Sequence, residues 1–129
     1  MNISHLLDTS VCIPILRNQA SISAFPTHST VGVSSIVAAE LWVGAEKMAG
    51  HPDKIRLLEE FLYLFPVIEF DHDASRHYGK IRADLERRGA SIGPMDLLIA
   101  AHARSLNATL ITANLGEFRR VKGLKVLRG

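Results

Sequence analysis

The chain has 129 residues, 47% of them hydrophobic and 22% charged, which is the size and balance of one folded domain and excludes a disordered segment. Its net charge of +2 is too small to imply a polyanionic partner by itself. No apolar run reaches the roughly 18–20 residues that span a bilayer. The first residues, "MNISHLLDTSV", have no basic stretch before the apolar one and do not read as a signal peptide. The single cysteine, Cys12, excludes an internal disulfide and fits a reducing cytoplasm; between Val11 and Ile13 it reads as a small buried hydrophobe.

In chain order, "NISHLL" predicts a short strand that ends at Asp8. Residues 9 to about 18 predict a helix with Thr9 or Ser10 as its cap. "NQASISAFPTHST" is polar and reads as loop, and "VGVS" as a second strand. Ser34 and Ser35 cap the helix "IVAAELWVGAEKMAG", which Gly50 closes. His51-Pro52 opens a helix that runs to Phe65 and stops at Pro66; "VIEF" is a third strand. Asp71 and Asp73 offer caps for the next helix. Its Ala74, Tyr78, Ile81 and Leu85 fall on one face, and Gly89 ends it. Gly93-Pro94 starts another helix, because proline fits the first turn, where its missing N–H is no loss. Strand "ATLIT", a helical turn at Leu115–Phe118 and a last strand "LKVL" complete the chain. Short apolar strands alternating with amphipathic helices predict one α/β domain, residues 1–129, around a mainly parallel sheet.

Three carboxylates break this apolar pattern. Asp8 stands where the first strand ends, the side of an open α/β sheet where ligands gather. Glu40 lies among Val37, Ala38, Ala39, Leu41, Trp42 and Val43, and Asp96 heads "GPMDLLIAA". Each also has a structural reading: Asp8 as a cap, Glu40 as a solvated point on an amphipathic face, Asp96 as a complement to the helix dipole. Carboxylates brought within about 4–6 Å repel, and they then share either a proton or a hard cation. Oxygen-only ligation suits Mg²⁺ or Mn²⁺. Zinc is poorly supported, since the six histidines show no H-E-x-x-H or H-x-H spacing. His102 reads as a helix-packing residue. No glycine-rich phosphate loop and no Gly-x-Ser-x-Gly is present.

Three stretches, "LLDTSV", "SSIVAAELWVGA" and "IRADLERRGASIGPMDLLIAAHARSLNATLITANLGEFRRVKGLKV", resemble the PIN-domain ribonucleases, and among them the VapC toxins of bacterial toxin–antitoxin pairs. The resemblance covers nearly the whole chain. It implies a small α/β/α sandwich with a central parallel sheet, and Mg²⁺-dependent endonucleolytic cleavage of RNA that leaves 5′-phosphate and 3′-hydroxyl ends. By position, Asp8, Glu40 and Asp96 match the family's three acids, with Asp8 and Asp96 as metal ligands and Mn²⁺ as a substitute for Mg²⁺. Many members carry a fourth acid after the strand that here reads "TLIT"; this chain has Asn114 near that position and Glu117 one turn later. Those two read either as additional site residues or as a capped turn with Asn114 as its N-cap.

The resemblance further implies a structured RNA such as tRNA as substrate, a small VapB-like antitoxin whose C-terminal segment reaches the acids, a homodimer within a larger toxin–antitoxin complex, and no membrane. Arg82, Arg87 and Arg88, with the basic tail "RRVKGLKVLRG", are the candidate contacts to the RNA backbone. Trp42, Phe61 and Tyr63 read as core or as dimer surface. Two rival classes stand beside this reading. One is a catalytically silent PIN-like module that binds RNA or protein. The other is a phosphatase or receiver-type domain, which needs a nucleophilic aspartate and a lysine such as Lys125.

Overall fold

A computed structural model describes residues 2–18, 21, 25–47 and 51–129. These residues form β1 (His5–Leu7), α1 (Thr9–Leu16), β2 (Val31–Ser34), α2 (Ser35–Lys47), α3 (Pro52–Leu64), β3 (Val67–Ile68), α4 (His72–Arg87), α5 (Pro94–Ser105), β4 (Thr109–Thr112), α6 (Leu115–Phe118) and β5 (Lys125–Arg128). The strands make one sheet in the order β3-β2-β1-β4-β5, and each neighbouring pair is parallel. A parallel sheet is covered on both faces. Accordingly Leu6, Leu7, Val33, Leu110 and Ile111 are buried.

Strand order decides where a ligand can sit. From the central β1 the chain moves outward to β2 and β3, then returns to the other side for β4 and β5. The connections after β1 and β4 therefore diverge and leave a crevice at the carboxyl ends of these two strands. Asp8 is the first residue beyond β1, and its N–H donates to the Ile111 carbonyl of β4 at 2.9 Å.

The helix-boundary signals act largely as the sequence predicts. Asp71 accepts from the Ala74 N–H at 3.0 Å and caps α4. Gly89 ends that helix with φ +63°. The Ala90 N–H reaches the Leu85 carbonyl at 2.9 Å and the Gly89 N–H reaches Glu86 at 3.2 Å, the paired bonds of a Schellman turn. Ser34 Oγ accepts from the Ile36 N–H at 3.1 Å and so caps α2. Ser35 instead holds the Phe70 N–H at 3.1 Å. The cap of α1 is a correction. Asp8 occupies the N-cap position without a capping side-chain bond, and Thr9 and Ser10 lie inside the helix because their hydroxyls serve the acids described below. Helix α1 ends at Leu16 rather than Asn18, and β3 stops at Ile68. The closure at Gly50 lies outside the described residues.

Helix α5 is packed on most of its surface: Leu97, Ile99, Ala100, Ala101, His102 and Ala103 are all buried. Its run of short alanines permits that close approach. The three aromatics divide: Phe61 is core, stacked at 5.0 Å on Phe65; Trp42 is half-buried against the core; Tyr63 is 88% exposed. Cys12 is buried, and its thiol is pushed up by burial first and then by the charges of Asp8 and Glu40, so it stays protonated. Among the described residues no helix is long and apolar enough to cross a membrane.

The Schellman turn fixes the entry of the chain to α5. Replacing Gly89 by Ala places a Cβ in left-handed backbone, which costs about 1–2 kcal/mol. Urea unfolding of Gly89→Ala is expected to show that loss as a lower midpoint at unchanged slope.

Candidate active site

Asp8 is only 4% exposed, so its carboxylate needs partners that replace water. Two hydroxyls supply them. Ser10 Oγ and Thr112 Oγ1 each donate to Asp8 Oδ2 at 2.7 Å. Each hydroxyl oxygen also accepts a backbone N–H, Ser10 from Ala113 at 3.1 Å and Thr112 from Asn114 at 2.9 Å. Those bonds direct the hydroxyl protons at the carboxylate. Oxygen Oδ2 thus takes both hydroxyl bonds, and among the described residues none is given to Oδ1. Glu40, half-buried on α2, is held in the same manner: Thr9 Oγ1 donates to its Oε1 at 2.8 Å, and Oε2 is left over.

Asp96 lies in the first turn of α5. Were it there for the helix dipole, its carboxyl would ionise more readily than usual. The opposite holds. Its pKa is raised to about 7, first by burial, then by a hydrogen bond to Glu117 and by the charges of Asp8, Glu117 and Glu40. The fourth acid, Glu117 on α6, shifts the opposite way, chiefly because it accepts the Asp96 proton. Its other partners are the Gly93 N–H at 3.3 Å and the Asn114 side-chain amide at 2.8 Å. Asn114 does stand at the N-cap position of α6, but its side chain makes no capping bond; it steadies Glu117. The two carboxyls are thus coupled, and below about pH 7 the proton stays with Asp96 rather than Glu117.

Asp8, Glu40, Asp96 and Glu117 thus come within electrostatic reach of one another at the carboxyl edge of the sheet. No ion pair among the described residues involves Asp8, Glu40 or Asp96. The donor set is all oxygen and carries uncompensated negative charge, which fits a hard divalent cation. Among the described residues no three His, Cys, Asp or Glu side chains are gathered closely enough to hold a metal ion by themselves. Such an arrangement suits an ion that keeps several of its waters.

The remaining predicted residues lie apart. Arg82 extends along α4 to the Tyr78 hydroxyl at 3.0 Å and to Glu86 at 3.3 Å. Arg87 is exposed, 3.9 Å from Asp84. Arg88 pairs with Asp84 at 2.7 Å and donates to the Arg120 carbonyl at 2.6 Å, tying α4 to the C-terminal segment. Lys125 starts β5 and donates to the Asn107 carbonyl at 2.9 Å. That is the amino edge of the sheet, away from the acids, so the lysine that a phosphatase or receiver site requires is not there.

A family model described as the PIN domain matches residues 5–124. The chain belongs to the PIN-domain family. It is similar to the Ribonuclease VapC2 of Rickettsia felis, 35% identical over 125 residues and 93% of both chains. It is equally similar to the tRNA(fMet)-specific endonuclease VapC of Salmonella typhimurium, 35% identical over 130 residues and 94% of both. Among solved structures, VapBC2 of Rickettsia felis bound to a DNA fragment from its promoter superposes with a TM-score of 0.90 at 32% identity, covering 98% of this chain and 99% of that one.

In this PIN domain the hydroxyl partners Thr9, Ser10 and Thr112 were missed by sequence reasoning. Their signal was present: a serine or threonine directly beside a strand-end acid, and another at the end of the adjoining strand.

The Asp96 shift fixes a pH dependence. The folded state binds the Asp96 proton more tightly than the unfolded chain does. Stability from this group is therefore full below pH ~4, where both states are protonated, and is lost as pH rises to about 7. In EDTA, melting temperature is expected to fall across that window for the wild type. Asp96→Asn, which cannot titrate, should flatten the fall in a pH series of thermal denaturation curves.

Proposed function

We propose that this PIN domain is a divalent-metal-dependent endoribonuclease, the toxin of a VapBC-type toxin–antitoxin pair. One observation carries the chemistry: half-buried Asp96 lies within electrostatic reach of Asp8, Glu40 and Glu117, so that its pKa is pushed up to about 7, and among the described residues no ion pair offsets it. A site with that charge takes up a cation. Asp8 through Oδ1 and Asp96 would hold Mg²⁺, with Mn²⁺ as a substitute, while Glu117 and Asn114 flank them. Bound there, the ion would lower the pKa of a water and offset charge on the phosphate oxygens. The protein's own groups do the rest. Ser10 and Thr112 keep Asp8 turned with one oxygen outward. Glu40, anchored by Thr9, presents Oε2 to orient the attacking water and accept its proton. The new bond would join the water oxygen to phosphorus as the P–O3′ bond breaks, and the departing O3′ would take a proton from solvent, leaving a 5′-phosphate and a 3′-hydroxyl.

The basic face of α4 supports an RNA substrate. Arg82 and Arg87 are exposed and would meet backbone phosphates, with Arg88 fixed behind them as a second line of charge. The relatives' names point to a structured RNA such as tRNA, a substrate found in the cytoplasm.

Restraint by a VapB-like antitoxin fits a cavity of about 170 Å³ between α1, α2 and α3. Ile13, Leu16, Leu41, Leu57 and Leu58 line it, and Glu40 stands at its edge. An apolar antitoxin segment lying there would bring a basic side chain to the acids. The exposed Tyr63, Leu64 and Val43 offer apolar surface for the homodimer. Against the silent-module alternative stands the presence of all the acids within electrostatic reach of Asp96.

Two measurements test this reading. Asp96→Asn should fold normally and lose roughly 10²-fold or more of its cleavage rate on total RNA with Mg²⁺, because a carboxylate at the reacting phosphate is removed. Cleavage near the wild-type rate would refute the nuclease assignment. Separately, Arg82→Ala with Arg87→Ala should weaken RNA binding and lower its log–log salt slope by about 1 for each phosphate left without its arginine. An unchanged slope would make this face merely solvated.

A further inference from the structure

His102 is 1% exposed and belongs to none of the roles above. Its Nδ1 lies 2.7 Å from Ser34 Oγ. Ser34 Oγ also accepts the Ile36 N–H, and its own hydroxyl proton is free to donate to Nδ1, in the tautomer that the Glu69 backbone opposite favours. The neutral ring then carries its hydrogen on Nε2. That nitrogen is buried and, among the described residues, makes no well-formed hydrogen bond, although the Glu69 backbone stands close enough to favour its protonation. Burial also holds the ring neutral, against weaker upward pulls from Asp71 and the Glu69 backbone. An apolar side chain of similar volume would fill this space without stranding a polar atom. A buried unsatisfied group calls for a reason, and packing alone does not supply one.

The placement of the bond supplies it. Ser34 ends β2 six residues before Glu40, and His102 lies on α5 six residues after Asp96. Six helical residues span about 9 Å. The Phe70 ring, whose backbone N–H is held by Ser35, packs edge-on against His102 at 5.5 Å. The start of α2, the segment before α4, and α5 therefore meet at one buried point. Any slip of α5 along its axis at that point moves Asp96 relative to Glu40 by the same amount.

We infer that His102 is a positioning residue. Through Ser34 it fixes α5 against the end of β2 and the start of α2, and so sets where Asp96, a ligand of the cation on that reading, stands relative to the other acids. The inference rests on the metal-dependent reading of the acid cluster. It also implies a selectivity. Mg²⁺ requires near-ideal octahedral geometry with short bonds, whereas Ca²⁺ accepts longer and irregular ones. Loosening α5 should therefore harm Mg²⁺ binding far more than Ca²⁺ binding.

The test is cation-induced stabilisation of the full chain, read as the rise in melting temperature over a titration with Mg²⁺ or Ca²⁺. His102→Leu fills the same volume without the bond, and Ser34→Ala removes the partner. His102→Asn keeps a hydrogen-bonding atom near the place of Nδ1. For the first two variants the Mg²⁺ midpoint should rise roughly tenfold or more, the scale on which outer-shell partners tune metal affinity. The Ca²⁺ midpoint should stay within about twofold, and His102→Asn should restore most of the Mg²⁺ response. Equal losses for both cations, or wild-type Mg²⁺ midpoints in His102→Leu and Ser34→Ala, would overturn the positioning role and leave the metal-dependent reading standing. A wild-type protein that neither cation stabilises would overturn both.

Discussion

Four carboxylates occupy one partly dry edge of a sheet, and among the described residues no basic side chain pairs with Asp8, Glu40 or Asp96. Like charges so placed repel, and burial penalises each of them further. The fold answers each acid separately. Asp8 receives two hydroxyl protons. Glu40 receives one. Glu117 takes a backbone N–H and an amide, and Asp96 keeps its own proton until pH approaches about 7. In Asp8 and Glu40 the bonds from the described residues fall on one oxygen and none is given to the other. The same contacts that make the acids tolerable therefore decide which atoms face a ligand.

Parallel topology is what delivers residues so distant in sequence to one edge. Every strand of the sheet points its carboxyl end the same way. Any residue just after a strand, or early in the helix that follows, is carried to that side. Asp8 follows β1, Glu40 lies early in α2 after β2, and Glu117 is in α6 after β4. Asp96 arrives differently: α5 begins at that edge because the Schellman turn at Gly89 and the bond from Gly93 to Glu117 bring the chain back to it. Lys125, at the start of a strand, is carried just as firmly to the opposite edge.

Which features were legible in the sequence follows from how local their causes are. Asp71, Gly89 and Pro94 act through their own backbone or their nearest turn, so the boundaries they mark stand where expected. The acids were legible because a carboxylate inside an apolar run is costly and must have a reason. Thr9 and Ser10 misled, since a hydroxyl at a helix start ordinarily caps it; here the competing demand of Asp8 and Glu40 prevails across 31 residues of sequence for Thr9. Arg88 reads from sequence like its neighbour Arg87. Only the fold shows that Asp84 and the Arg120 carbonyl engage it. His102 was read as a packing residue, and it is packed; its bond to Ser34 spans 68 positions and leaves no local mark.

Neutral donors at this edge have a consequence that a lysine would not. A lysine beside Asp8 would offset its charge more completely than Ser10 and Thr112 do, and the metal-free protein would be more stable for it. It would also cancel the field that attracts a cation. Hydroxyls, an amide and backbone N–H groups satisfy oxygen lone pairs while leaving the net charge in place. The cost remains visible in Asp96, which cannot ionise freely. An arriving positive charge, whether a metal ion or a basic side chain of a partner, would recover that residual repulsion. On the function proposed, the affinity of the edge for cations and its strain without them would be two measurements of the same quantity.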